Sequence, residues 1–420
     1  MTDSAPPNEL PDVAQRFWRY VQIDTQSDPS SDTTPSTAKQ FDLARLLESE
    51  LRDLGLEDVE LDANGYVYAT LPASVGAESA PTVALLAHMD TSPDEPGGPV
   101  RPQLHLDYQG NRIELPGDSS VALDPERSPE LLDHLGHDLI SSDGTTLLGS
   151  DDKAGVAIIM AAVRQLVHES SRPRPRVRVC FTVDEEIARG VDALELDQLG
   201  ADLGYTVDGG SIGHIDVATF HAAAATIEVR GLMVHPGTAK GVMVNAGTIL
   251  AEMIDELPAD ETPETTQDLE GYICCLEIEG TVQSARAGLI LRDFEDAGIE
   301  RRKQIVQEIV ARARQKHPAA TIELTLVDQY RNMRSYIEES DPRTIELALE
   351  TARALGLEAS EQSIRGGTDG ARLSERGLPT PNLFTGGHDY HSRFEWNTVQ
   401  NLVTSTDFVV ALLGRWADVT

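Results

Sequence analysis

The sequence predicts an α/β protein whose main domain is interrupted by a smaller α+β domain. Short apolar runs alternate with amphipathic helical patterns over the first 217 residues, and the same alternation resumes after residue 334. Between residues 218 and 333 the order is β-α-β-β-α-β, the signature of a ferredoxin-like unit. We therefore predict a discontinuous domain, 1–217 plus 334–420, and an inserted domain, 218–333.

The main domain opens with a helix around "VAQRFWRYVQ", a Ser/Thr/Asp/Pro-rich loop and an amphipathic helix, "AKQFDLARLLESELRDLG", which stops at Gly55. Three apolar runs bounded by turn residues are typical of buried strands: "TVALLAH", "RVRVCFTVDEE" and "LGYTVDGG". The segment "KAGVAIIMAAVRQLVHE" has helical periodicity. Strands alternating with helices indicate a sheet covered by helices.

The inserted domain begins with an alternating strand pattern, "AAAATIEVRG", and a long helix pattern, "AKGVMVNAGTILAEMIDEL". Two or three strands follow in "YICCLEIEGTVQSARAGLILRDFE", then the helix "IERRKQIVQEIVARARQKH" and the strand "ATIELTLVDQY". Beyond it, the segments "DPRTIELALETARALG" and "TPNLFTGG" return to the α/β pattern of the main domain.

Composition narrows the possible partners and the compartment. The chain has 70 acidic and 34 basic residues, a net charge of −36, which disfavours binding to nucleic acid. This acidic excess is either a solvated surface or an adaptation to a salt-rich cytoplasm. No apolar run approaches the ~20 residues that span a membrane, and "MTDSAPPNELPDVAQ" lacks the apolar core of a secretory signal. With three sparse cysteines, a cytoplasmic protein without membrane or nucleic-acid partners is expected.

Potential metal-ligand groups lie at or just past the ends of the predicted central strands, the edge at which α/β sheets bind ligands. These groups are His88 and Asp90, Asp151 and Asp152, Glu185 and Glu186, and Asp208. Each has an ordinary interpretation alone, as a loop pair, a helix N-cap or a solvated pair. Together they would repel one another unless cations neutralise them. Carboxylates combined with imidazoles suit zinc, with cobalt or manganese as substitutes.

The loop "TGGHDYHSRFEW" adds two histidines, His388 and His391. Either histidine taken alone is as well explained as an ordinary loop residue.

Seven motifs resemble those of the co-catalytic zinc peptidases, a family of dizinc aminopeptidases and carboxypeptidases. They are "HMDTSPD", "TLLGSDDKAG", "DEE", "YTVDGG", "VHPGTAKGVMVNA", "IRGGTDGA" and "PNLFTGGHDYH". The resemblance implies a mixed-sheet catalytic domain, an inserted ferredoxin-like lid that mediates homodimerisation, and two Zn²⁺ per subunit. The expected substrate is a small peptide.

The expected reaction is release of the N-terminal residue from tripeptides. The motifs "HPGTAKGVMVNA" and "RGGTDGA" carry this expectation, because the metal motifs are shared with relatives that act on other substrates. A dipeptidase or an N-acyl-amino-acid deacylase on the same scaffold is the alternative.

The resemblance also implies the ligand set. His88 and Asp208 are expected to bind one metal, Glu186 and His391 the other, and Asp151 to bridge both.

The choice of His391 leaves His388 as a rim residue. Glu395, four residues after His391, is interpreted as orienting the loop or the His391 ring.

Three further residues receive catalytic roles from the resemblance. Asp90 is expected to orient the ring of His88. Glu185 is implied as the general base that deprotonates the water between the metals and passes the proton to the leaving amine. Consecutive residues at an extended strand end point in opposite directions, so Glu185 and Glu186 are expected to approach the site from different sides. His235 is expected to donate a hydrogen bond to the oxyanion.

Four residues are candidates for substrate binding. Arg365 is the first choice for the peptide C-terminal carboxylate and Arg334 the second, since arginine suits a bidentate pair. Asn245 is expected to contact a carbonyl or carboxylate, and Asn332 to orient the peptide. For the substrate ammonium, Asp184 is one candidate among several.

Overall fold

A computed structural model describes Pro7 and residues 9–419. Residues 1–6, 8 and 420 lie outside the described part, and they include some of the N-terminal segment interpreted above. The chain divides into two compact units. The first takes the described residues of Met1–Val217, Ser335–Gln362 and Thr368–Thr420, and the second takes Ala218–Arg334 and Ser363–Gly367.

The described residues form ten α-helices and seventeen strands. The helices are α1 (Asp12–Val21), α2 (Gln40–Asp53), α3 (Ser150–His168), α4 (Leu196–Leu199), α5 (Ala246–Asp255), α6 (Asp296–Lys316), α7 (Met333–Ser340), α8 (Arg343–Ala354), α9 (Asp369–Glu375) and α10 (Val399–Trp416). The strands are β1 (Glu57–Leu61), β2 (Val67–Leu71), β3 (Val83–His88), β4 (Gln103–His105), β5 (Ile113–Glu114), β6 (Ala122–Leu123), β7 (Leu139–Ser141), β8 (Val177–Thr182), β9 (Leu203–Gly209), β10 (His214–Thr219), β11 (His221–Arg230), β12 (Tyr272–Gly280), β13 (Ser284–Asp293), β14 (Thr321–Tyr330), β15 (Ser360–Ile364), β16 (Asn382–Phe384) and β17 (Trp396–Thr398). Short 3₁₀ turns are formed by Pro129–His134, Glu185–Ile187 and Pro236–Thr238.

The largest sheet is mixed, as the α/β prediction requires. Its order is β1-β2-β8-β3-β9-β16-β10-β15. Strand β3 runs parallel to β8 and β9, and β9 parallel to β16, whereas β2 is antiparallel to β8 and β10 antiparallel to β16. The predicted mixed α/β class is confirmed.

Apolar continuity explains which strands are central. Every residue of β3 and β8 is buried, and α3 buries Ala, Val, Ile and Met side chains along most of its length. Strand β1 (EDVEL) was not predicted, because its acidic residues leave little apolar periodicity.

The parallel strands bring their carboxyl ends to one edge of the sheet, the edge that binds ligands in such folds. His88 is the last residue of β3, Asp208 lies at the end of β9, and β8 ends at Thr182, shortly before the Glu185–Ile187 turn. The chain order therefore explains why distant sequence motifs meet.

The second unit contains an antiparallel sheet of order β12-β13-β11-β14. Helices α5 and α6 pack on it around an apolar core that includes Ala287, Leu289 and Val306. The chain order β11-α5-β12-β13-α6-β14 is ferredoxin-like, as predicted.

One predicted helix is shorter than expected. The pattern "AKGVMVNAGTILAEMIDEL" predicts a helix from residue 239, but α5 begins at Ala246. The reason is the N-cap: Asn245 has extended backbone angles and its side chain accepts the Thr248 N–H at 3.2 Å.

Within the described residues, no helix combines the length and the apolar composition needed to cross a membrane.

Candidate metal centre and active site

The first group of possible metal ligands joins three strand ends and turns of the first unit. His88 Nε2 lies 2.8 Å from Asp151 Oδ1 and 3.5 Å from Asp208 Oδ1. The three ligand atoms lie within 4.8 Å of one another. His88 is buried, while Asp151 and Asp208 are partly exposed.

A second group shares Asp151. His391 Nε2 lies 3.2 Å from Asp151 Oδ2 and 2.8 Å from Glu186 Oε2. One oxygen of Asp151 thus faces His88 and the other faces His391. This places the Asp151 carboxylate between the two groups, at the position of a bridge.

Asp90 connects the first imidazole to the neighbouring turn. The Nδ1 atom of His88 lies 3.0 Å from the backbone carbonyl of Asp90 and 3.4 Å from its carboxylate. The two carboxylate oxygens accept the N–H groups of Glu185 and Glu186, at 3.0 and 3.3 Å. Asp90 therefore orients both the ring and the turn that carries the two glutamates.

The extended geometry predicted for Glu185 and Glu186 is wrong. Strand β8 ends at Thr182, and Glu185–Ile187 form a 3₁₀ turn that follows Asp184, whose φ is +58°. The turn, and not strand alternation, separates the two carboxylates. Glu186 contacts His391, whereas Glu185 belongs to neither ligand group among the described residues.

Asp184 is not available to bind a substrate ammonium, so that suggestion is wrong. Its carboxylate is fully buried and accepts hydrogen bonds from Ser36 N at 2.7 Å, Ser36 Oγ at 2.5 Å and Gln40 Nε2 at 2.7 Å. It anchors the Glu185–Ile187 turn to the N-terminal loop. Such a buried, fully bonded carboxylate serves structure.

Asp152 caps the regular part of α3. Asp151 and Asp152 have non-helical backbone angles, and Asp152 Oδ1 accepts the Gly155 N–H at 3.0 Å. Gly155 has no room for a side chain, since a Cβ atom there would lie 1.8 Å from the carbonyl oxygen of Val207. The helix start therefore packs directly on β9.

His391 and His388 have different surroundings. Nδ1 of His391 lies 3.2 Å from Asp94 Oδ2, so Asp94 orients a ring whose Nε2 faces Asp151 and Glu186. Asp94 was missed, although it ends the motif "HMDTSPD". His388 stacks on Trp396 at 4.2 Å, and burial lowers the pKa of its ring to about 3. His388 is a neutral packing residue.

Burial and close charged neighbours shift the pKa values of several residues in and beside the two groups. Burial raises the pKa of Glu186 to about 8 and that of Asp208 to about 6. Hydrogen bonds that the His391 ring donates to the carboxylates of Asp151 and Glu186 raise the pKa of His391 to about 11. Burial also raises the pKa of Glu185 well above its usual range.

The residues fit divalent metal ions. Carboxylates and imidazoles are the donors such ions take, and two sets of three converge on one shared carboxylate. In addition, Glu186 Oε1 is buried without a hydrogen-bond partner among the described residues. A buried, unpartnered carboxylate oxygen is costly unless something else coordinates it.

The other five predicted site residues belong to the second unit. His235 is exposed, and its Nδ1 accepts the Gly237 N–H at 3.2 Å. Asn245 uses its side-chain oxygen as the N-cap of α5.

Asn332 is buried and holds the unit together. Its side-chain oxygen accepts the N–H groups of Thr219 and Arg334 at 3.1 and 3.0 Å, and Nδ2 donates to the Phe294 carbonyl at 3.0 Å. Both the oxygen and the nitrogen of this amide are hydrogen-bonded within the second unit. That Asn332 orients the peptide stays a prediction.

Arg365 is likewise engaged within the second unit. Its Nη1 donates to the carbonyls of Asp268 and Glu270, each at 2.8 Å, and its Nη2 to Thr266 Oγ1 at 3.0 Å. To grip a carboxylate with both terminal nitrogens, the side chain would have to give up these bonds.

The sequence matches the family described as "Peptidase family M20/M25/M40" over residues 146–415. The protein named Peptidase T from Geobacillus sp. (strain WCH70) is 44% identical over 402 residues, which cover 96% of this chain and 98% of that protein.

Two solved structures share the fold. The aminopeptidase PepT from Bacillus cereus ATCC 10987 has a TM-score of 0.75 at 24% identity. A tripeptidase from Staphylococcus aureus subsp. aureus Mu50 has a TM-score of 0.75 at 22% identity. Each covers 97% of this chain and 98% of its own. The chain belongs to peptidase family M20/M25/M40, and within it to the peptidase T family.

Proposed function

We propose that this protein is a zinc-dependent aminopeptidase that releases the N-terminal residue from tripeptides. The observation that carries the proposal is the match to Peptidase T along nearly the whole of both chains. It extends beyond the metal motifs, which relatives with other substrates share. The geometry agrees with it, because two ligand groups meet at one carboxylate at the edge of the sheet.

We assign the metal ligands as the resemblance implied. His88 and Asp208 would hold one Zn²⁺, Glu186 and His391 the other, and Asp151 both; Co²⁺ or Mn²⁺ are possible substitutes. When bound, the two ions polarise the scissile carbonyl and lower the pKa of water.

Glu185 is the proposed general base. It lies next to ligand Glu186 but outside both ligand groups, so its carboxylate stays available to hold a proton. Asp90 supports this role by binding the N–H groups of both glutamates. The proton that Glu185 takes up would pass to the leaving amine of the peptide.

His235 is the proposed donor to the oxyanion. Because Nδ1 accepts the Gly237 N–H, a neutral His235 ring carries its proton on Nε2, which can then donate. Asn245 retains its two amide hydrogens for a substrate oxygen while its own oxygen caps α5. For the C-terminal carboxylate, Arg365 and Arg334 stay predictions.

A cytoplasmic location and a homodimer formed through the second unit are also proposed. All three cysteines are free thiols, as expected in a reducing compartment. Strand β12 lies at an edge of the second sheet and exposes Leu276 and Ile278, at 67% and 59%. Exposed apolar residues on an edge strand are suited to pairing between subunits.

The substrate assignment is tested by assaying a free-amine tripeptide, the dipeptide with the same N-terminal residue and an N-acetylated amino acid side by side. We expect the tripeptide to have the highest kcat/KM by a wide margin. An acetylated tripeptide serves as the control for the free amine and should be a poor substrate. Equal or faster hydrolysis of the dipeptide would refute the tripeptide assignment, and preference for the acetylated amino acid would indicate a deacylase.

A further inference from the structure

Glu395 is a buried carboxylate with an unusual set of partners. Its side chain is 1% exposed, and it accepts three backbone N–H groups. Oε2 accepts from Leu148 at 2.8 Å and from Gly149 at 2.7 Å, and Oε1 accepts from Asp151 at 3.0 Å. Both oxygens are therefore used to hold a single stretch of backbone.

This stretch, residues 148–151, is the turn that contains Asp151. Gly149 has φ +82°, the left-handed conformation that glycine adopts readily, and neighbouring N–H groups in such turns converge on an anion. A carboxylate at this point satisfies N–H groups at the start of α3, which have no helical partner. Without Glu395, the backbone at Asp151 would lose the hydrogen bonds that fix its position.

Glu395 itself sits in the loop that delivers His391. His388 and Trp396 close this loop through two backbone hydrogen bonds, of 2.9 and 3.1 Å. Glu395 directly precedes Trp396 in the chain. Asn397, on the other side of Trp396, donates a hydrogen bond to Ser150 Oγ at 2.9 Å. The loop around His391 and the turn around Asp151 are thus tied together at adjacent points.

We infer that Glu395 is a positioning residue that holds Asp151 and His391 at the separation required by the second metal ion. The inference rests on the proposed function only in that the group Asp151, Glu186 and His391 binds a metal. It does not require the protein to cleave tripeptides. It replaces the expectation that Glu395 orients its own loop or the His391 ring alone.

The test is the substitution Glu395→Gln, which keeps the size of the side chain. An amide NH₂ cannot accept an N–H, so one side of the turn loses its hydrogen bond. The purified full-length enzyme is dialysed to equilibrium against buffers of defined free Zn²⁺, and bound zinc per chain is measured. We expect one of the two ions to be held 10–100-fold more weakly than in the wild type, the range seen for residues that support metal ligands.

Glu50→Gln is the matched control. Glu50 is also a mostly buried glutamate of the first unit with several partners: it accepts hydrogen bonds from Arg16, from Arg19 at 2.8 Å and from Tyr20 at 2.5 Å. Its loss is expected to lower the Tm without changing either zinc affinity. Glu395→Asp, which keeps the charge but shortens the side chain, should recover part of the lost affinity.

Unchanged affinity for both zinc ions in a folded Glu395→Gln protein would overturn the inference. The inference would also be overturned if Glu395→Gln and Glu50→Gln had the same Tm and Glu395→Gln lost no more zinc affinity than Glu50→Gln. If Glu395→Gln does not fold, Glu395→Asp decides by the same zinc measurement. Tripeptide hydrolysis by the wild type is measured separately. Absence of hydrolysis would refute the proposed function without affecting the zinc affinities, which alone test the role of Glu395.

Discussion

Replacing Glu185 by alanine is expected to reduce kcat at least ~100-fold, which is about 2.7 kcal/mol in activation free energy. Glu185 stands beside Glu186, a proposed metal ligand, but outside both candidate ligand groups among the described residues. Its removal would therefore take away the proposed proton carrier and leave the proposed ligands in place. Zinc content should remain at two ions per chain, measured on the same preparation as kcat.

The control for this experiment is Glu57→Ala, which removes an exposed glutamate from β1 of the same unit. It should leave kcat and zinc content unchanged. Turnover near the wild-type level in Glu185→Ala would refute the role of general base. Loss of a zinc ion along with activity would instead make Glu185 a ligand.

Replacing His391 by alanine is expected to remove one zinc ion and nearly all activity. His391 supplies the nitrogen donor of its group, with Nε2 at 2.8 Å from Glu186 and 3.2 Å from Asp151. Without it, the second ion would have only carboxylate ligands, which suit zinc poorly.

His388→Ala is the built-in control, since the two histidines lie three residues apart in one loop. His388 stacks on Trp396, so its loss removes a packing contact and should lower the Tm. It should retain two zinc ions and most of the activity. The reverse pattern, with His388 essential and His391 dispensable, would show that the wrong histidine was assigned.

Periodicity made the central strands and long helices predictable. The runs "TVALLAH" and "RVRVCFTV" are mostly apolar because every residue of β3 and β8 is buried. The parallel order of these strands then made it predictable that carboxylates following them would meet at one edge. Strand β1 has no such signal and was missed.

Local geometry was harder to predict because it depends on contacts distant in sequence. The turn at Glu185 is held by Asp90 and, through Asp184, by Ser36 and Gln40, which lie about 150 residues earlier in the chain. No local pattern indicates such partners. The same applies to Glu395, whose three N–H donors lie far from it in sequence.

Substrate-binding residues were the least predictable from composition. An arginine in a glycine-rich loop has the chemistry to grip a carboxylate, and this was the basis for choosing Arg365. In the structure it donates instead to the carbonyls of Asp268 and Glu270. Arginine donates equally well to backbone carbonyls, so residue type alone does not distinguish the two roles.

The most direct test of the account is the zinc content of the purified wild-type protein together with its hydrolysis of a tripeptide, before and after chelation. We expect two zinc ions per chain, loss of hydrolysis as they are removed, and recovery when Zn²⁺ is restored. Tripeptide hydrolysis that persists in metal-free protein would contradict the account, as would a fully zinc-loaded protein that leaves tripeptides intact.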